Sequence, residues 1–306
     1  MKRQQRGAIL LWVVVTLTVV AALAFTMTRQ SGMAAQSVES GTDTAVARYL
    51  AEAALNHARW QNEKAGCSGH GSVVMTTLPG VGSYQAIVTN SQGGKSIDIQ
   101  ASGTTPGGAS FTLNKTAVVM HDTQNQQTSQ LGQSKSDSDI WLSADFPTQT
   151  MDNTTYLELN QGRSNALLQF NLASIPTNSR ITKAVLSVTE YFPGTGFPGQ
   201  ISAHRMQKNW DARKATWSVS KNNQSWSNPG GDYDSANLAV VTSIGAGQYD
   251  WDITYLVDGW SNNTVPNYGV ALKPDGPLSG ARFASLQNAT GIANPVLSVN
   301  YAAPCP

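Results

Sequence analysis

The sequence predicts two folded parts: an α+β N-terminal part, made of a long helix and a small antiparallel sheet, followed by an all-β sandwich of jelly-roll type. Three observations predict it. No charged residue occurs from Gly7 to Thr28, and no proline precedes Pro79, so a helix can run far into the chain. From Gly82 to His121 polar and apolar residues alternate and are cut by the pairs Gly93-Gly94 and Gly107-Gly108. From Ile140 to Tyr301 short alternating segments recur ("ALLQFNL", "KAVLSVTEYF", "YGVALK", "VLSVNY") between Pro, Gly, Asn and Asp turns. Only "ITYLVDGWSN" reads as a short helix there. A chain of 306 residues has room for about two domains.

In chain order, residues 1–7 form a basic leader with Lys2, Arg3 and Arg6. The run at 8–28 is long enough as a helix to cross the roughly 30 Å hydrocarbon core of a membrane. With the positive flank on its N-terminal side, that run leaves the N-terminus cytoplasmic and exports the rest. A cleaved secretory signal is the alternative, since "VVAALA" resembles a small-residue cut site. Residues 29–65 continue as an exported helix. Met33, Ala34, Val38, Ala45, Tyr49, Ala53 and Leu55 recur near helical spacing, Arg48 and Glu52 form an i,i+4 pair, and Gly66 offers a C-cap.

Residues 66–121 are expected to fold as three antiparallel strands whose apolar face (Tyr84, Ile87, Ile97, Ile99, Phe111, Leu113, Val118) packs on that helix. The polar stretch at 122–136 reads as a linker, because it has too few apolar residues to bury. The sandwich then covers 137–302, with a short tail at 303–306.

The residues "RQQRGAILLWVVVTLTVVAALA" and, one helix further on, "ARYLAEAALNHA" resemble the N-terminal region of type IV minor pilins and of the minor pseudopilins of type II secretion. The resemblance covers about residues 1–65. It implies cleavage between Gly7 and Ala8 by a prepilin peptidase, with the apolar helix retained, first in the bacterial inner membrane and later among sister helices in an extracellular filament. Its partners would be other pilins or pseudopilins. The fifth mature position, a Glu in major pilins, is Trp12 here. An unpaired charge there is costly in an apolar environment, so its lack favours a minor, tip or initiating subunit.

In the second half, "ALLQFNLASIP", "ITKAVLSV", "NWDARKATW", "PGGDYDS", "YDWDITYLVDGW", "NYGVALK" and "PVLSVNY" together resemble the DNRLRE-type, disaggregatase-related β-sandwich, a carbohydrate-binding type of module on microbial surface proteins. The name-giving string itself is absent. The resemblance implies a sandwich over about 137–302 and a surface glycan as ligand.

Composition narrows the function classes. Charged residues make up 13% of the chain and the net charge is +1, so no basic field exists to attract nucleic acid. Trp210, Trp217, Trp251 and Trp260 read as core; Trp226, in a polar loop, and Tyr233 are the candidate ligand-binding platform. Asp232 and Asp234 are the candidate carboxylates for a structural Ca²⁺. Asp is equally a turn residue, so a capping role stands beside the metal. Scattered Asp residues form no catalytic constellation, a G-x-S-x-G elbow and an H-E-x-x-H motif are absent, and the expectation is a protein that is not an enzyme. Cys67 and Cys305 are the only cysteines, either one disulfide or two free thiols.

Overall fold

A computed structural model describes residues 41–68 and 70–306. The leader, the cleavage pair Gly7 and Ala8, and the expected membrane run at 8–28 lie outside the described residues. Among the described residues no helix is long and apolar enough to cross a membrane. The chain divides into two compact units. One comprises the helix and residues 68–118; the other comprises residues 119–306 together with Ala65–Cys67.

In the first unit helix α1 covers residues 41–65. It lies on a sheet of four antiparallel strands in the order β1 (Val73–Leu78), β2 (Gly82–Ser91), β3 (Ser96–Thr104) and β4 (Ser110–Val119). The buried helix positions are Ala47, Leu50, Ala51, Ala54 and Ala58, spaced three and four apart along one stripe. Small residues let the helix come very close. A Cβ on Gly103 of β3 would stand 2.4 Å from the Ala47 carbonyl oxygen and 2.6 Å from the Ala51 nitrogen, so only glycine fits there. At the helix end Asn62 is fully buried. Its Nδ2 donates to the Ala58 and Gly71 carbonyls, and its Oδ1 accepts from Gly71 N–H.

Ala45, Tyr49 and Ala53 face outward, and Tyr49 is 70% exposed. Both stripes obey helical spacing, and the buried one brings Ala47, Leu50 and Ala51 against Gly103. Ile87 points away from the helix at 51% exposed, whereas Ala86 and Val88 on either side of it point inward. Its place in the expected core is lost to strand alternation.

The second unit has a six-stranded and a five-stranded antiparallel sheet. Its strands are β5 (Gln127–Leu131), β6 (Ser138–Ser143), β7 (Tyr156–Leu159), β8 (Ser164–Gln169), β9 (Arg180–Phe192), β10 (Gly199–Arg205), β11 (Val219–Lys221), β12 (Gln224–Ser225), β13 (Ala239–Ser243), β14 (Gly247–Asp252), β15 (Val270–Pro274), β16 (Ala281–Ala284) and β17 (Val296–Ala302). One sheet runs β5-β17-β9-β16-β7, with β14 also on β9; the other runs β13-β10-β15-β8-β6. β11 and β12 form a separate hairpin, and helix α2 (Thr254–Ser261) occupies the segment expected to be helical. The two large sheets share one core. Leu157, Leu186, Val188, Phe283, Leu297 and Val299 from the first meet Leu167, Leu168, Ile201, Ala203 and Leu272 from the second, with Trp251 of β14 fully buried among them. The chain is thus a helix with a small sheet, followed by a β-sandwich.

The linker expected at 122–136 is instead partly a strand. Residues of β5 pair one-for-one with β17 from Leu131↔Leu297 to Gln127↔Tyr301. The segment is polar because an edge strand shows most of itself to water, and only Leu131 is buried. Cys67 and Cys305 form a disulfide, with Cα atoms 5.5 Å apart across 238 residues of sequence.

Candidate functional site

Two places in the sandwich unit gather polar side chains. The first contains the sequence-predicted residues. Trp226 is not on the surface: it is 5% exposed, belongs to the core, and its Nε1 donates to the Thr216 carbonyl. Its polar neighbours in sequence lie on a loop that folds back over it, so the indole fills the loop's interior and offers no ligand platform. Tyr233 is half-buried beside His204, with ring centroids 5.2 Å apart.

Asp232 and Asp234 do not converge on a metal. Asp232 accepts the backbone N–H groups of Ser227 and Asn228 and lies 3.6 Å from Lys208 Nζ. Burial alone would raise its carboxyl pKa, but those N–H donors and the Lys208 charge bring it below the usual value. Asp234 pairs with Arg205 Nε at 2.6 Å and also accepts from Gln207, and the Arg205 bond is the main cause of its lowered pKa. Each carboxylate is engaged in holding its own loop. Among the described residues no group of three or more His, Cys, Asp or Glu side chains could hold a metal ion.

Next to this loop lies a serine–histidine pair. His204 Nδ1 is 2.8 Å from the Asp234 carbonyl, which can only accept, so Nδ1 carries the proton and Nε2 accepts from Ser202 Oγ at 2.7 Å. Ser202 is fully buried. The hydroxyl is sealed from any substrate, and the pair ties β10 to the loop above it.

The second place is a groove of about 950 Å³. One wall is the turn from Gly132 to Asp137, the other is the loop from Leu286 to Val296, and Arg213 stands beside them. Asp137 builds the first wall. Its Oδ2 accepts from Gly132 N–H and Ser134 N–H, and its Oδ1 accepts from Asn171 N–H at 2.7 Å. Gly132 has φ +122°, and a Cβ there would strike the Pro295 carbonyl at 2.3 Å, so glycine lets the two walls approach.

The second wall hangs on buried groups. Asp139 Oδ2 accepts from Leu286 N–H at 2.8 Å, and Asn288 Nδ2 donates to the Thr155 carbonyl while its Oδ1 takes Thr290 N–H. Asp139 is 2% exposed, and burial lifts its carboxyl pKa to about 6, against the Leu286 and Gln287 hydrogen bonds that lower it. The groove is lined by the exposed amides of Gln133 and Gln287, by Asn288 and Asn294, whose amides hold their own loop, and by two exposed cations, Lys135 and Arg213. Amides donate and accept at once, which suits a ligand rich in hydroxyl groups.

A family model fits this half of the chain. Residues 139–277 match the disaggregatase related repeat domain. No curated protein matches the chain. The folded unit is larger than the match: β5, β16 and β17 lie outside it, as do the turn holding Lys135 and the whole 286–296 wall. Asp139 and Arg213 lie inside.

Sequence reasoning missed the groove. Its first wall was read as linker, and its second, "LQNATGIANP", shows only the Asn, Gly and Pro of a turn. A signal was present in the spacing of Gly132 and Asp137, a tight turn with an acidic capping residue just before a strand. Nothing in the sequence joins it to residues 150 positions away.

Proposed function

We propose that this protein is a minor pilin-like subunit, held by its N-terminal helix first in the bacterial inner membrane and then in an extracellular filament, that displays its β-sandwich to bind a surface glycan. The observation that carries the reading is the charge-free run from Gly7 to Thr28 behind a basic leader, with a helix at 41–65 that lays one face on an antiparallel sheet. The outward stripe of Ala45, Tyr49 and Ala53, with Trp60 61% exposed, supports it by leaving α1 a second apolar side for sister helices. Trp12, in place of the carboxylate of major pilins, favours a tip or initiating position.

The match to a disaggregatase related repeat domain supports a sandwich that engages carbohydrate, and the jelly-roll strand path belongs to the same reading. The amide-lined groove is where we place the ligand. Prepilin peptidase and other pilins are the partners, and no catalytic step is assigned. The decisive measurement is the N-terminal mass of the protein recovered from cells. A chain beginning at methylated Ala8 is expected; one beginning beyond Ala24 would make it a secreted protein and end the filament reading. Glycan-array binding by the purified chain, lost in Gln133→Ala, tests the groove separately.

A further inference from the structure

Between α1 and the sandwich, the chain passes through residues 68–118, which hold the strands of the first unit. Force applied between two points of a protein follows its covalent path and the folded elements strung along it. Without a cross-link, a pull between helix and sandwich therefore places the small sheet in series. The disulfide alters that path. Cys67 follows the end of α1, and Cys305 follows β17. Both ends of the sandwich chain meet there: Cys305 N–H donates to the Met120 carbonyl, and His121 bridges Pro304. Residues 67–305 thus form a closed covalent ring.

We propose that the Cys67–Cys305 bond is a tension bypass, carrying force from α1 straight to β17 and keeping residues 68–118 out of the loaded path. β17 is suited to receive it. It is hydrogen-bonded along both flanks, to β5 over Leu297–Tyr301 and to β9 over Val296–Ala302, and Leu297, Val299 and Tyr301 are buried in the core. The small sheet is the weaker element, since the buried residues around it are largely alanines. The benefit to a cell rests on the filament reading, in which the helix is anchored and the sandwich held. The bypass itself is a property of the isolated molecule.

The test is single-molecule pulling on the full chain in a lipid nanodisc, with one handle at the N-terminus and the other in the exposed β11–β12 turn at Asn222 and Asn223. With the disulfide verified by non-reducing mass mapping, no lengthening from residues 68–118 is expected. After reductant is added, the same molecule gains a separate step of up to roughly 180 Å, at lower force than the sandwich opens. Cys67→Ser shows that step without reductant. The proposal is overturned if oxidised molecules show the step, or if reduced ones show none before the sandwich yields. An unexpected N-terminal mass would leave both outcomes unchanged.

Discussion

The two units of this protein bury different kinds of side chain. In the helix-and-sheet unit the core is mostly methyl groups: Ala47, Ala51, Ala54, Ala58, Ala86 and Ala101, with Leu50, Val73, Ile97 and Ile99 as its larger members. The sandwich closes over Trp251, Phe170, Phe283 and sixteen leucines and isoleucines. Full burial of a large apolar side chain contributes about 1.5–3 kcal/mol, and each methylene about 0.8 kcal/mol, so the sandwich gains far more per buried residue. The first unit gains closeness instead. The sandwich closes over side chains of its own two sheets, while the helix and its sheet approach through backbone and keep Tyr49 and Trp60 outward.

The largest expected effect lies in the sandwich. Trp251 is fully buried, and its Nε1 donates to the Ile201 carbonyl across the two sheets at 3.0 Å. Trp251→Ala opens a cavity and orphans that carbonyl, at a cost of about 3–5 kcal/mol. Denaturant unfolding followed by circular dichroism should register it, and a loss below about 1 kcal/mol would break the comparison.

A smaller effect depends on pH and belongs to the sandwich alone. Its core unit holds two buried carboxyls with raised pKa values, Asp139 at about 6 and Glu190, both pushed up mainly by burial. Glu190 keeps one hydrogen bond, from Ser243 Oγ at 2.6 Å, and among the described residues its other oxygen has no partner. Among the described residues of the first unit no carboxyl has a resolved raised pKa. A carboxyl whose folded pKa is raised binds a proton more tightly when folded. Its stabilisation is complete below the unfolded pKa of 3.8 and is lost as pH rises through about 6. Asp139 then accounts for about 3 kcal/mol of decline between pH 4 and 6. Asp232, Asp234, Asp252 and Asp275, with lowered values, act in the opposite sense and below that window. Asp139→Asn should flatten most of the slope between pH 4 and 6. An unchanged slope would show that Asp139 is not the titrating group.

The smallest effect sharpens the other side. Gly103→Val drives a side chain into the Ala47 carbonyl and Leu50 Cβ, 2.4 and 2.5 Å from the new Cβ, and overpacking of that kind costs about 1–3 kcal/mol. Hydrogen exchange should rise in β2 and β3 and stay unchanged in β9 and β17. Equal loosening of both units would mean that they unfold as one.

Much of the architecture could be read from residues near one another in the chain. The period-two runs marked most of the strands, and "ITYLVDGWSN" its short helix. β1 was not read as a strand although Val73, Val74, Met75 and Leu78 make it apolar, and β5 escaped because an edge strand keeps few apolar residues. Trp226 was misplaced for a related reason: a polar loop around a tryptophan reads as exposed until the loop closes over it. The groove was invisible, since its walls come from residues near 135 and near 290 and neither has a function by itself.

The sequence alone determined where backbone can be helical or extended, because periodicity, glycine and proline act within a few residues of themselves. Tertiary structure decided which of two apolar helix faces is buried, which tryptophan is sealed in, and which loops make a groove. Those outcomes depend on the surface that each element meets, and that surface is supplied by residues far away in the chain.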